Sequence, residues 1–396
     1  MQSLKKRLLD LPFARRAWAS YRGGRTEARY RSWIEYYGRE ATARGLSYSP
    51  DHFREGLAER LRHRKPIRRS QGEVHTGVLC LTRNWGIGLV QEAEEVGPVS
   101  VFDWEQHGFR ESDPELPRLM PELNRRILAF VRETHRARPL DWLLITGSGN
   151  VIHRDTLRRI RDEWGIPTVN QWLDCKQNFR SGVISNGQDT GQIDIAPEFD
   201  VVWTSSRTMC EPYLCVGARP LYLPEGFSPR LTPQSAGPQK YDVGFMGARY
   251  GLRQDYIMAL RRAGVDVAVR GPGWGTAEVP LSQMGEFFGQ CKINLGFGGV
   301  GYSMALTTLK GRDFEVPGAG GVYLTTYNDD LAEFFRLGEE ILCYRTPREM
   351  VEIVLDLLKD DRKRASIAER AYNRAMREHR WSHRYRTVLQ CLGVLA

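Results

Sequence analysis

The feature that most constrains this chain is a strand–helix alternation that runs, stops and starts again. Short apolar runs at 74–81, 99–102, 142–146, 168–173 and 201–205 read as strands, separated by amphipathic stretches that read as helices, among them 121–136 and 153–163. A Pro/Gly/Ser/Gln-rich stretch between 228 and 239 interrupts the pattern. It then resumes with strands at 241–246, 265–270, 293–296 and 322–325 and helices at 253–263, 282–291 and 312–316, and helices at 348–358, 362–378 and 383–392 follow. Apolar strands alternating with helices predict βαβ units and parallel sheets. The expected fold class is therefore α/β, with two Rossmann-like doubly wound domains at 73–228 and 241–378 joined by a linker at 229–240. Residues 379–396 form a last helix able to pack back on the N-terminal domain, and residues 1–72 form a helical extension. Such sheets take ligands at the carboxyl ends of their strands, so a cleft between the domains is the expected site.

Charge separates the extension from the body. The 396 residues carry a formal net charge of +9. Residues 1–70 hold 18 Lys and Arg against 7 Asp and Glu, leaving 39 basic and 41 acidic residues for everything else. The body is thus close to neutral, which argues against nucleic-acid binding over its whole surface. Helical spacing over 3–21, 26–43 and 50–63 admits two readings. One is a basic amphipathic arm lying on anionic lipid or a polyanion; the other is a helical appendage docked on the body with solvated arginines.

The seven cysteines are odd in number and none is spaced as CxxC, so neither a disulfide framework nor a zinc site is expected. No apolar run approaches the ~18–20 residues that span a bilayer, and the N-terminal apolar stretch is broken by Asp10, Arg15 and Arg16. The expectation is a cytoplasmic protein, able to touch a membrane peripherally through residues 1–70.

Two segments carry chemistry. In the first, the strand Asp242-Val243-Gly244-Phe245-Met246 runs into Gly247-Ala248-Arg249-Tyr250-Gly251-Leu252-Arg253 and a helix. Glycines let a backbone approach a ligand and a helix N-terminus offers free N–H groups to an anion, so Arg249 and Arg253 are candidates to clamp a diphosphate. The same pattern also serves plain strand–helix packing. In the second, Lys310-Gly311-Arg312-Asp313-Phe314-Glu315-Val316-Pro317-Gly318-Ala319-Gly320-Gly321 leads into a strand. A carboxylate before a Gly-rich turn can accept hydrogen bonds from both ribose hydroxyls, with Lys310 and Arg312 as phosphate partners; a helix N-terminal acid followed by a Gly-rich loop would look alike.

These two segments, together with Arg270-Gly271-Pro272-Gly273-Trp274, Lys292-Ile293-Asn294-Leu295 and the tail Ala368-Glu369-Arg370-Ala371-Tyr372 through Trp381-Ser382-His383-Arg384, resemble CgeB-like glycosyltransferases in order and spacing. That family has the GT-B fold and is similar to the retaining glycosyltransferase family 4. The resemblance spans residues 73–392 and is most specific over 241–390. In the N-terminal half, Val151-Ile152-His153-Arg154-Asp155-Thr156-Leu157, Gly165-Ile166-Pro167-Thr168-Val169 and Trp172-Leu173-Asp174 resemble family segments more loosely, and Leu223-Pro224-Glu225-Gly226-Phe227 resembles the turn into the linker. Residues 1–70 have no counterpart.

The resemblance implies a nucleotide sugar, UDP- or GDP-linked, held as substrate by the C-terminal domain, an acceptor held mainly by the N-terminal domain, and no cofactor or metal. Glu315 matches the ribose-binding second glutamate of the family's E-x7-E motif; Thr307 stands where the first should be, so the motif is incomplete. Gly247, Arg249 and Arg253 would face the diphosphate, Gly271, Pro272, Gly273 and Trp274 would lie near the base, and Gly320 and Gly321 near the phosphates or sugar, with Asn294, Lys310 and Arg312 also donor-binding. Asp103, His153 and Asp174 are the expected acid–base candidates, with Glu105 and His107 beside them, all near the carboxyl ends of expected strands. The expected activity is metal-independent, retaining transfer of a sugar to an acceptor hydroxyl on a surface glycan or lipid-linked molecule. A DNA-modifying glycosyltransferase and a non-catalytic sugar-nucleotide-binding protein are the alternatives, with nucleic acid the lesser expectation.

Overall fold

The computed structural model describes residues 12–82, 86–235 and 237–395. The apolar pattern at Leu4, Leu8 and Leu11 and the loop residues Arg83, Asn84 and Trp85 lie outside the described residues. The chain divides into two compact units: the chain through Arg31 with Glu225–Arg380, and Ser32–Pro224 with Trp381 onward.

The second of these holds a six-stranded parallel sheet. Its strands are β1 (Thr76–Leu79), β2 (Val99–Phe102), β3 (Trp142–Ile145), β4 (Thr168–Gln171), β7 (Val201–Thr204) and β8 (Pro220–Tyr222), in the order β2-β1-β3-β4-β7-β8. The order reverses between β1 and β3, so the sheet is doubly wound. Four of the strands are buried along their whole length, as parallel strands covered on both faces must be. The covering helices are α1 (Pro12–Ala43, from Ser32 on), α2 (Pro50–Leu61), α3 (Gly86–Ala93), α4 (Leu116–Ala137), α5 (Arg154–Trp164), α6 (Cys175–Asn178) and α7 (Cys210–Cys215). Ser49 caps α2 by accepting from the His52 N–H at 3.1 Å, with Pro50 in the first turn, and Gly165 closes α5 at φ +65°. Between α6 and β7 the chain inserts a two-stranded antiparallel hairpin, β5 (Ile184–Ser185) and β6 (Gln188–Asp189).

The other unit carries a five-stranded parallel sheet, β10-β9-β11-β12-β13, built from β9 (Tyr241–Met246), β10 (Val267–Arg270), β11 (Cys291–Leu295), β12 (Tyr323–Thr326) and β13 (Leu342–Tyr344). Its switch point lies between β9 and β11. Helices α8 (Arg253–Arg262), α9 (Met284–Gly289), α10 (Arg312–Gly318), α11 (Pro347–Leu358) and α12 (Asp361–Glu378) complete it. Thr346 and Asp360 cap α11 and α12 from the Glu349 and Lys363 N–H groups.

The last helix, α13 (Trp381–Leu392), belongs to the N-terminal unit. Its Trp381 and Tyr385 pack edge-on against Trp203, and Tyr385 against Trp142 as well, in a core shared with Phe53 and Leu57 of α2. The extension is not a separate body. From Pro12 on, the two helices expected over this stretch are one unbroken α1, and its residues up to Arg31 join the C-terminal unit. There Arg15 and Arg16 pair with Asp255 at 2.9 and 3.0 Å, Glu27 accepts a hydrogen bond from Ser303, and Arg22 lies over the Tyr302 ring. Farther along, Tyr37 meets Phe179 edge-on, and Arg60 and Arg64 both bond the buried Asp200. Four of the segment's 18 basic residues thus share two carboxylates from beyond it, Asp255 and Asp200.

Gly23-Gly24 does not break α1 because one of the pair serves a contact. A β-carbon on Gly23 would stand 3.0 Å from the Tyr302 carbonyl oxygen and 3.2 Å from Ser303 Cα, whereas one on Gly24 would meet nothing within 4 Å. Alanine is favoured over glycine by about 0.8–1 kcal/mol in a helix interior. Gly24→Ala should therefore raise stability by about that amount in urea denaturation, while Gly23→Ala should fall at least about 1 kcal/mol short of it. Equal gains at the two positions would show that the close approach is dispensable.

Candidate active site

At the switch point of the C-terminal unit, β9 delivers Gly247 beside the loop that follows β10. Three hydrogen bonds latch the two loops together: Gly247 N–H to the Arg270 carbonyl at 2.8 Å, Arg249 N–H to that of Pro272 at 2.8 Å, and the Trp274 indole N–H to that of Gly247 at 2.8 Å. Gly271, at φ +118°, permits this. A β-carbon there would stand 2.8 Å from the Gly247 carbonyl oxygen. The Arg249 side chain is exposed and bonds Gln254 at 2.9 Å and the Gly273 carbonyl at 3.4 Å, and the Trp274 ring meets Phe245 at 6.0 Å.

Arg253 opens α8 and is 9% exposed. Its Nη1 donates to the Ala248 carbonyl at 3.0 Å, its Nη2 donates to the Tyr250 hydroxyl at 2.8 Å, and the guanidinium lies 3.9 Å from the Tyr250 ring centroid. None of these partners is a carboxylate. Burial pulls its pKa below the ordinary arginine value; Tyr250 opposes this and the positive charge of Arg312 adds to it. Arg312 opens α10 and forms no hydrogen bond or ion pair among the described residues through its side chain. Its Nη2 and the Arg253 Nη1 each lie 3.5 Å from the point where a β-carbon on Gly247 would stand. Two guanidinium groups thus face one spot, at a strand end and beside two helix N-termini. Neither guanidinium is hydrogen-bonded to a carboxylate, and bringing two cations together costs free energy that an anion bound to both would recover.

Next to them stand two carboxylates. Glu315 Oε1 and Glu225 Oε2 are each 3.1 Å from where a β-carbon on Gly311 would lie. Burial pushes the Glu315 carboxyl above its usual range, with Arg312 opposing. Glu225 is itself buried. Asp313 has a structural place: it accepts from the Lys310 N–H at 2.8 Å and the Tyr323 hydroxyl at 2.9 Å.

Gly320 and Gly321 follow the far end of α10. Gly320 faces the Gln234 amide, and Gly321 packs on the amide of Asn294, which donates to the Phe288 carbonyl at 3.1 Å. Lys310 contributes its backbone N–H to the α10 turn.

In the N-terminal unit, Asp103 follows β2. Its carboxylate accepts from the Thr82 N–H and hydroxyl, the Glu105 N–H and the Gln106 amide. Burial alone would raise its pKa, but these bonds outweigh it and hold the carboxyl below the usual range. His153 caps α5: Nδ1 accepts from the Asp155 N–H at 3.3 Å, and Nε2 lies 3.0 Å from the Asn186 carbonyl. Asp174 precedes α6 and is exposed, Glu105 is half-buried, and His107 is exposed and stacks on Phe102 at 4.4 Å.

Sequence reading passed over two components. The Gly-rich run Gly296-Phe297-Gly298-Gly299-Val300-Gly301 after β11 faces Arg253 and carries Tyr302 and Ser303, to which α1 docks; its glycine density was the available signal. Glu225 had none, since its nearness to Glu315 exists only in the fold. Among the described residues no group of three or more His, Cys, Asp or Glu side chains could hold a metal ion, and no helix is long and apolar enough to cross a membrane.

Residues 253–390 match a family model described as Glycosyl transferase-like. No curated protein matches the chain. Among solved structures it is similar to sucrose-phosphate synthase from Thermosynechococcus elongatus, at 9% identity and a TM-score of 0.57, over 81% of this chain and 99% of that one. It is also similar to Anabaena HepE in complex with UDP and glucose, at 13% identity and a TM-score of 0.52, over 81% of this chain and 100% of that one. At these identities the likeness is one of fold. That fold, two Rossmann-like units with a helical extension, is GT-B, and with the family match it defines the class of the protein: a glycosyltransferase.

Asp313 gives the site a measurable pH signature. Burial pushes its carboxyl up from 3.8 to about 6, against the pull of the Lys310 N–H and Tyr323 hydroxyl bonds. A folded-state pKa raised above the unfolded one favours the native state below pH 4 and loses that advantage as pH climbs to about 6. Asparagine cannot ionise, so the stability of Asp313→Asn minus that of the native chain should rise by about 2–3 kcal/mol between pH 4 and pH 7. Urea unfolding at the two pH values measures it; a pH-independent difference would refute the assignment.

Proposed function

We propose that this chain is a CgeB-like, metal-independent retaining glycosyltransferase that moves a sugar from a nucleoside diphosphate sugar to an acceptor hydroxyl. The observation that carries the reading is the pair Arg253 and Arg312, converging on Gly247 with neither guanidinium hydrogen-bonded to a carboxylate. A diphosphate supplies the missing negative charge. A solved structure of the same fold holds UDP and glucose, which supports a nucleotide sugar as the donor.

In this reading the diphosphate lies against Arg253, Arg312 and the first turns of α8 and α10, and a carboxylate of the Glu315–Glu225 pair accepts from the ribose hydroxyls. The bond between sugar C1 and the β-phosphate oxygen breaks, a bond from C1 to the acceptor oxygen forms, and the acceptor proton passes to the leaving phosphate. Charge accumulates on the diphosphate as it departs, and groups already aimed at it lower the barrier without reorganising. Retention with the leaving phosphate as base fits the state of two protein candidates: the Asp103 carboxylate is saturated with hydrogen bonds, and both His153 ring nitrogens are engaged. The acceptor is a glycan or lipid-linked hydroxyl, and the reaction takes place in the cytoplasm.

Calorimetric titration with UDP and GDP, followed by assays of donor consumption, tests this. Each of Arg253→Gln and Arg312→Gln should weaken nucleotide diphosphate binding by at least about tenfold, the worth of a charge-assisted hydrogen bond. Glu315→Gln should weaken binding of the nucleoside diphosphate while sparing that of inorganic pyrophosphate. If neither UDP nor GDP binds the native chain, the reading fails.

A further inference from the structure

The N-terminal unit contains a polar cavity of about 670 Å³ that the donor site does not use. It opens where β3 and β4 end. Loop residues Ser148 and Asn150 line one side, Trp172 the floor behind β4, and Asn178 and the β5–β6 insertion the rest.

The insertion is built to stay in place. Its turn is Asn186-Gly187, at φ +51° and +76°, the left-handed pair that a tight two-residue hairpin requires. The Asn186 amide donates to the Pro117 carbonyl at 2.8 Å, anchoring the turn to α4. The Asp189 carboxylate accepts from the N–H groups of Ser181, Gly182 and Gly191 and from the Ser181 hydroxyl. Those bonds outweigh the effect of burial and hold its pKa low. Gln188, fully buried, donates to the carbonyls of Gly149 and Ile152, both at 2.8 Å, and Gly149 N–H donates to the Gly191 carbonyl at 2.8 Å. The insertion and the 148–150 loop are thereby tied into one wall.

What that wall presents is uncharged. Among the described residues, the side-chain amides of Asn150 and Asn178 make no hydrogen bond, which leaves two donors and an acceptor on each. Glu111 and Arg118 are the charged residues in the lining, and Arg118 is exposed and pairs with Glu115 at 3.1 Å. A phosphate or sulfate would need convergent cations, which the donor site has and this cavity lacks. An aromatic ring beside free amides suits a ligand that has a C–H face and hydroxyls around its rim.

We propose that this cavity binds an uncharged, polyhydroxylated ligand, a neutral mono- or oligosaccharide. Naming that ligand the acceptor rests on the transferase reading above; the binding itself does not. A lipid pyrophosphate or a nucleic-acid backbone is excluded from the pocket by the same chemistry.

The test titrates the full chain, without nucleotide, with free neutral mono-, di- and trisaccharides of glucose, galactose and N-acetylglucosamine. Each is paired with its phosphorylated counterpart and read by saturation-transfer NMR and calorimetry. At least one neutral sugar should bind, and its phosphorylated form should bind more weakly. Asn150→Ala and Asn178→Ala, which break no hydrogen bond within the fold, should each weaken binding by about fivefold, one neutral hydrogen bond's worth, and leave UDP affinity unchanged. The proposal is overturned if no neutral sugar binds, if both variants bind as the native chain does, or if the phosphorylated form binds better. Sugar binding that survives a failed UDP titration sinks the donor reading alone; intact UDP binding without sugar binding sinks this one alone.

Discussion

The C-terminal unit is organised around a positive charge denied its usual partner. Arg253 is held by an aromatic face, a carbonyl and a phenol, and Arg312 stands across Gly247 from it. Salt bridges elsewhere in the chain are abundant, and Asp255, two residues on, is taken by Arg15 and Arg16. That pairing fastens α1 to α8, on a face of the helix that Arg253, two residues away, does not share.

The positions of the two sheets were legible because their strands are short apolar runs between amphipathic helices. β2 and β9 were foreseen to the residue, since Val99–Phe102 and Tyr241–Met246 end at polar or glycine residues that break the run. β8 and β13 were not foreseen. Each has three residues at a sheet edge, too few to show a period. The gap left between the helical stretches at 3–21 and 26–43 is helical for a different reason. Glycine lowers helix propensity, but here tertiary contact with Tyr302 and Ser303 decides.

The site divides along a similar line. The places of Arg249 and Arg253 were legible, because a strand running through glycine into a helix sets them at a sheet's carboxyl edge and on the helix's first turn. Gly320 and Gly321 could not be assigned from pattern, since a glycine pair serves packing against Asn294 and approach to a ligand equally well. Glu225 and the β5–β6 cavity were silent. The first lies ninety positions from its neighbour Glu315, and the second is a run of Asn, Ser, Gly and Thr that reads as loop until its hydrogen bonds are seen.

The placement of α13 has a consequence for how the molecule is made. Trp381 and Tyr385 fill the core between Trp142, Trp203 and α2, yet they are synthesised after every residue of the C-terminal sheet. During translation the first sheet must wait with a tryptophan-lined face uncovered, while the second acquires all its strands and can close. Truncating a buried aromatic side chain of this size to alanine costs about 3–5 kcal/mol. The sheet whose strands leave the ribosome first is thus the one whose core is completed last.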